Sequence, residues 1–449
     1  MRILAGVLLS ILLAGCSSEP AGVPEPDLAR KPNIVVILAD DLGYGDLGIT
    51  GAPDIKTPNI DLLAREGVVF DHAYSNAPVC SPTRAALLSG MYQQRTGIDR
   101  VLYVDERDLG LDPSIQLLPE FLTEAGYATG IIGKWHLGYI QKSFPTRFGF
   151  EAFIGFLAGN IDYFAHTDRL GNPDLWNGEE PITDDRYMTD LIADEANAFL
   201  SRHVDDPFFL YLPFNAPHDP FQGPKDRDSA GDQVLTRQTY RTREKFKEMV
   251  EALDENVGEV IAHLKKTGLA DNTIVFFMSD NGGLPIVARN APFSGFKTEL
   301  WEGGIRTTLI AWGPGRLEPG RTVSSPVIGM DLFPTVLEIA AVTPPEDRKV
   351  DGVSLAPLLW GEQTELEPRT LYFSYQDPGS EQQRAVLRDD YKYLRDKTGQ
   401  EYLFNISQDK QEKQNLAAEH PEKLAELEAA WESWNEQVRT GAPQLPTRE

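Results

Sequence analysis

Four stretches of this chain are apolar almost without interruption: Asn33–Ala39 and residues 128–133, 208–214 and 273–278. A strand with one wet face alternates apolar and polar residues. These do not alternate, so both of their faces must be covered, as in the central strands of a parallel sheet flanked by helices. Each run stops at polar side chains. Asp40-Asp41 and a Gly-rich turn follow the first, and Lys134-Trp135-His136 the second. Asn215-Ala216-Pro217-His218 close the third, and Ser279-Asp280-Asn281-Gly282-Gly283 the fourth. Open α/β sheets bind ligands beyond the carboxyl ends of their strands, so four such endings point to one pocket. Taken singly, Asp40 and Asp41 either hold a hard divalent cation or are two solvated loop acids. Lys134 and His136 stand two apart, so an extended backbone aims both the same way.

Helical patterns fill the gaps, over residues 57–66, 115–125, 331–341 and most clearly 244–266. In the last, Phe246, Met249, Val250, Leu253, Val257, Val260, Ile261 and Leu264 keep a helical period, and Gly268 is placed to end it. His263 on that helix reads as a surface residue, as do His72, His203 and His420. Beyond about residue 370 the texture changes to short strand-like runs at 383–387, 391–395 and 401–406, then a charged amphipathic helix over 421–438. The fold class expected is therefore α/β. A large, mixed, mostly parallel sheet is sandwiched by helices over residues 32–370. A small C-terminal α+β subdomain of antiparallel strands and a terminal helix fills 371–449.

Residues 1–15 read as a secretory signal, because Arg2 precedes an apolar stretch too short to span a bilayer. Leu13-Ala14-Gly15-Cys16 matches a bacterial lipobox, which implies lipidation of Cys16; a plain signal peptide with a chance cysteine is the alternative. Residues 16–31, rich in Ser, Pro, Glu and Ala, make a tether. The expected location is the periplasm or cell surface, with the membrane contacted through the anchor alone. A net charge of −26 argues against nucleic acid as a partner. An anionic substrate would need a local cationic pocket. The chain's 2 cysteines, Cys16 and Cys80, form no disulfide framework, so each needs its own explanation.

Cys80 stands in Pro78-Val79-Cys80-Ser81-Pro82-Thr83-Arg84. Pro82 suits the first position of a helix carried on by Ala85, Ala86, Leu87, Leu88 and Met91. A nucleophile at that N-terminus, with Arg84 one turn on and folding back, suits attack on an anionic ester. Cys-x-Pro-x-Arg resembles the signature of the type I, formylglycine-dependent sulfatases, of the alkaline phosphatase-like superfamily. Glu302-Gly303-Gly304-Ile305-Arg306 resembles a second signature of that family, with Lys297 at its sulfate-binding lysine. The resemblance spans about residues 32–440.

The resemblance implies an exported sulfuric ester hydrolase in which a maturation enzyme oxidises Cys80 to formylglycine. Asp40, Asp41, Asp280, Asn281 and residue 80 would hold one Ca²⁺; the oxygen ligands suit Ca²⁺ or Mg²⁺ and disfavour zinc. Arg84, Lys134 and Lys297 would stabilise charge on the sulfuryl group. In the implied mechanism His218 protonates the leaving alcohol, and His136 takes the proton whose loss expels sulfate and restores the aldehyde. A sulfated sugar from a polysaccharide is the expected substrate, with Asp162, His166 and Arg169, or Asp99 and Arg100, as candidate sugar-binding residues and Trp176 as a stacking surface. The other readings are a phosphodiester or phosphonate hydrolase of the same superfamily, and a lipid-anchored glycan-binding protein whose cysteine stays a thiol.

Overall fold

A computed structural model describes residues 30–446, so the expected signal segment and Cys16 lie outside the described residues. The four apolar runs are adjacent strands. They are β1 (Asn33–Ala39), β3 (Ala128–Lys134), β7 (Phe208–Pro213) and β8 (Thr273–Ser279). With β2 (Val68–Tyr74), β4 (Ala152–Phe156), β5 (Trp176–Asn177), β6 (Glu180–Pro181), β9 (Arg306–Trp312) and β10 (Arg321–Val323) they form one sheet in the order β10-β2-β9-β8-β1-β7-β3-β4-β5-β6. The short β11 (Val327–Ile328) also pairs with β2. The five strands from β8 to β4 run parallel, and β9 enters antiparallel between β8 and β2.

Period-2 geometry splits β1 between two cores. Ile34, Val36 and Leu38 face one side, packed with α2 (Cys80–Ser89), α3 (Leu118–Glu124), α7 (Leu332–Ile339) and α8 (Ala356–Leu359). Val35, Ile37 and Ala39 face the other, against α1 (Pro58–Arg65), α4 (Met188–Arg202) and α5 (Arg243–Lys266). Full burial of each Val or Ile stabilises by about 1.5–3 kcal/mol, which is why all seven positions of β1 are closed to water. Helix α5 starts where Thr242 accepts a hydrogen bond from Lys245 N, and Gly268 follows it in the left-handed conformation at φ 74.

The C-terminal chain forms an antiparallel sheet of β12 (Thr370–Tyr375), β13 (Gln383–Arg388), β14 (Tyr391–Arg395) and β15 (Glu401–Asn405), with α9 (Pro421–Arg439) packed on it. It is bolted to the main body by a buried ionic network. Lys392 Nζ lies 2.9 Å from Glu302 and 2.8 Å from Glu412, while Glu302 also pairs with Arg306 at 2.9 Å. Glu302 opens the short α6 (Glu302–Ile305), so this network also fixes the Gly303-Gly304 turn. A Cβ on Gly304 would sit 1.9 Å from Glu299 O, and one on Gly282 1.9 Å from Gly303 O. Backbone therefore packs on backbone directly behind Asn281.

Candidate active site

The register Ala39↔Ser279 and Leu38↔Pro213 brings three strand ends level. Asp40 and Asp280 therefore emerge side by side, with Asp280 N donating to Ala39 O at 3.1 Å. Asp41, at φ 66, turns its N–H toward Asp280 Oδ1, 3.3 Å away. Asn281 donates through Nδ2 to Asp41 Oδ1 at 2.8 Å, and its own Oδ1 is buried with no partner among the described residues. Cys80 meets this group from α2. Its thiol points at Asp40 Oδ1, 3.4 Å away. Ligand atoms of Asp40, Asp41, Cys80 and His218 all lie within 4.8 Å of one another.

Helix α2 begins at Cys80, two residues before the position expected from Pro82. Nothing is lost, because the first N–H groups of a helix have no intrahelical partner and Pro82 lacks only one of these. Gly90, at φ 70, ends the helix before Met91, which was expected inside it.

Three cations face three buried carboxylates. Lys134 Nζ is 2.5 Å from Asp40 Oδ2, and Lys297 Nζ is 2.6 Å from Asp41 Oδ1 and 3.6 Å from Cys80 Sγ. Arg84, fully buried, does not fold back onto Cys80. Its Nε and Nη2 donate to Asp280 Oδ2 at 3.1 and 2.7 Å, and Nη1 donates to Lys134 O at 3.0 Å. Arg84 thus ties α2 to the ends of β3 and β8. Burial works to raise the Asp40 pKa, but Lys134, His218, Arg84 and Lys297 overcome it and hold the carboxyl well below its usual range. Burial, then Asp40 beside it, pushes Asp280 up. Burial, then Asp280, pushes the Cys80 thiol far above its usual value, so the sulfur is held protonated.

Oxygen donors predominate: Asp40, Asp41, the adjoining Asp280 and the orphaned Asn281 Oδ1, beside one sulfur from Cys80 and one imidazole from His218. The set fits a hard divalent cation of the Ca²⁺ or Mg²⁺ type and lacks the multiple sulfur or imidazole ligands that zinc prefers.

His218 stands with Nε2 3.6 Å from Asp41 Oδ2, and its Nδ1 lies 2.7 Å from Asp219 O and 3.2 Å from Asp219 Oδ1. Arg237 pairs with Asp219 from behind. Sequence reasoning missed these two supports, although an acid directly after the histidine was a visible signal. His136 departs from the extended geometry expected of it, because its φ is 59 and alternation stops there. Its Nε2 lies 2.9 Å from Leu102 O, and its Nδ1 is buried without a partner among the described residues. Burial, then Lys134, lowers its pKa well below the usual value, so the ring is neutral.

The candidate sugar contacts fare differently. Asp162 is buried, its carboxylate taken by the N–H groups of Phe164, Ala165 and Gly231 and by Gln222, so it shapes its own loop and does not face a ligand. His166 is likewise buried, at φ 47. Arg169 is exposed, close enough to act on Asp219 and Arg237. Asp99 pairs with Arg439 at 2.7 Å and Arg100 with Glu106 at 2.7 Å, so both charges are taken up within the protein. Trp176 is half-buried, held by its Nε1 bond to Asp174 at 2.8 Å with Phe144 edge-on to its ring. Of the histidines read as surface, His263 bonds Ser201 Oγ and His203 stacks on Phe199, both away from the carboxylates; His72 is half-buried and His420 exposed.

Comparison with known proteins agrees with this geometry. Residues 32–342 match the model of the Sulfatase family, and residues 296–437 match that of N-sulphoglucosamine sulphohydrolase, C-terminal. The chain is 36% identical to N-acetylgalactosamine-6-sulfatase of Canis lupus familiaris, over 82% of this chain and 72% of that one. It is 33% identical to steryl-sulfatase of Mus musculus, over 83% and 71% respectively. The crystal structure of Ps i-CgsB in complex with k-i-k-neocarrahexaose superposes with a TM-score of 0.82 at 33% identity, covering 90% of this chain and 93% of that one. The level strand ends, the carboxylate cluster and these matches agree: the chain belongs to the sulfatase family and is a sulfuric ester hydrolase.

Proposed function

We propose that the protein removes sulfate from a sulfated carbohydrate of polysaccharide origin, using formylglycine made from Cys80 and one bound Ca²⁺. The observation that carries this reading is the meeting of Asp40, Asp41, Cys80 and His218 at one point, with Asp280 and Asn281 hydrogen-bonded to Asp41 beside it and Lys134, Lys297 and Arg84 around the carboxylates. The carbohydrate assignment is supported by relatives named for a galactosamine sulfate and for a carrahexaose complex.

Asp40, Asp41, Asp280 and Asn281 would hold the cation, which supplies charge neutralisation for sulfate oxygens and fixes their orientation. The hydrated aldehyde at residue 80 supplies an attacking hydroxyl that the neutral, buried thiol does not. Lys134 and Lys297, within hydrogen-bond reach of Asp40 and Asp41, direct positive charge at the same point with no reorganisation needed. Arg84 acts one step back, holding Asp280. His218 carries the proton donated to the departing alcohol, with Asp219 fixing its ring through Nδ1. His136, neutral and with Nδ1 unpartnered, is suited to accept a proton from the side chain at residue 80.

Release of sulfate from defined sulfated mono- and oligosaccharides, measured beside cleavage of matched phosphodiesters to phosphomonoester and alcohol, tests the reading. Sulfate release from at least one sugar supports it; phosphodiester cleavage alone sinks it. Export and lipidation at Cys16 belong to the same proposal, and labelling with a radioactive fatty acid tests them: the label should vanish in Cys16→Ala.

A further inference from the structure

A polar cleft of about 450 Å³ opens between the segment around Gln94–Arg100, the turn joining β12 to β13, and the C-terminal stretch Pro443–Pro446. None of its lining residues belongs to the carboxylate cluster. Gln382 lines the cleft, and its neighbour Gln383 donates to Thr298 O at 2.8 Å. Thr298 follows Lys297, and its N–H donates to Pro78 O at 2.9 Å, in the segment leading to Cys80. A single hydrogen bond from Gln383 thus links the strand beside the cleft to the residue that follows Lys297.

The chemistry of the lining is selective. Its cations are spent inside the protein, Arg100 on Glu106 and Arg439 on Asp99. Asp377 accepts from the Tyr375 hydroxyl and leaves negative charge at the edge. Among the described residues, the lining offers a sulfated or carboxylated sugar no cation that lacks a carboxylate partner. What is left is amides: Gln94 and Gln444, with the Oε1 atoms of Gln376 and Gln382, whose Nε2 groups donate to Ser380 O and Ser374 Oγ. Gln94 is 2% exposed, and neither Nε2 nor Oε1 has a partner among the described residues. Buried polar groups are rarely left so, and an orphaned donor and acceptor on one planar group match a pair of neighbouring sugar hydroxyls. The volume falls in the usual range for small-ligand sites, roughly 300–1,000 Å³.

We infer that this cleft binds uncharged, hydroxyl-rich sugar residues of the glycan chain that carries the scissile sulfate. The enzyme then reads an oligosaccharide and not an isolated sugar. The inference rests on the carbohydrate reading above. It is tested with the full-length protein by calorimetry, using a sulfate-free galactan hexasaccharide and, separately, free galactose. The hexasaccharide should bind about tenfold more tightly than galactose. Gln94→Leu and Gln376→Ala should each weaken it about fivefold and lower by a similar factor the ratio of kcat/KM on a sulfated hexasaccharide to that on its sulfated monosaccharide. Gln376 is exposed, so its replacement leaves the core intact even if Gln94→Leu disturbs folding. Hexasaccharide binding no tighter than galactose, or Gln376→Ala indistinguishable from the parent protein in both measurements, overturns the inference. Intact hexasaccharide binding without sulfate release from any sugar would count against the proposed function and leave the cleft standing.

Discussion

Replacing Arg84 with Ala offers the sharpest test of how the site is held together. The side chain is fully buried, and it spends two N–H groups on Asp280 Oδ2 and one on Lys134 O. Arg84→Ala strands a buried carboxylate, which costs about 3–5 kcal/mol, and a buried carbonyl besides, for about 4–6 kcal/mol in total. Urea unfolding in chelator should show that loss as a lower midpoint with an unchanged slope. Asp280→Asn removes the other half of the pair. The double variant should therefore be more stable than the sum of the two losses by about 2–3 kcal/mol. Added Ca²⁺ should shrink the Arg84→Ala deficit, because a cation on Asp280 replaces the missing partner. A loss below about 1 kcal/mol, or an additive cycle, would falsify the bracing role.

Lys392→Met should destabilise by about 3–5 kcal/mol, since Glu302 and Glu412 lose their shared buried cation; urea unfolding reads it. Burial pushes Asp174 up to about 6 from 3.8, against bonds from Trp176, Ala158 and Leu157. A raised acid favours the fold while protonated, so its contribution is present below pH ~4 and lost as pH rises through about 6. Relative to Asp174→Asn, the parent protein should lose about 3 kcal/mol between those limits; a flat difference refutes the assignment. Removal of the cation by chelator should lower Tm, and Ca²⁺ at about 100 times its Kd should restore about 2.7 kcal/mol. His218→Ala should slow sugar sulfates far more than activated aryl sulfates; equal slowing would remove its proton-donor role.

The strand ends were legible because continuous apolar runs have few alternatives, and the residues after each run were fixed by counting. Register then did the rest: Ala39 opposite Ser279 brings Asp40 to Asp280 without any signal beyond the two runs. What stayed hidden depends on contacts distant in sequence. Arg84 turns to Asp280 because a carboxylate 196 residues away is its neighbour. The left-handed turn at His136 has no glycine to announce it. Asp162 looked like a ligand contact because a polar residue in a loop carries no mark of which way it faces. Strand β9 joins antiparallel, a pairing choice that local pattern does not encode.

In the proposed mechanism residue 80 acts as an aldehyde hydrate and not as a thiol. Peptide mass spectrometry reads the change directly, because replacing the sulfur and two hydrogens by oxygen lowers the mass by about 18 Da. Specific activity on a sulfate ester, measured across preparations of differing aldehyde content, should fall on a line through the origin. Full activity in a preparation whose residue 80 is entirely thiol would contradict it.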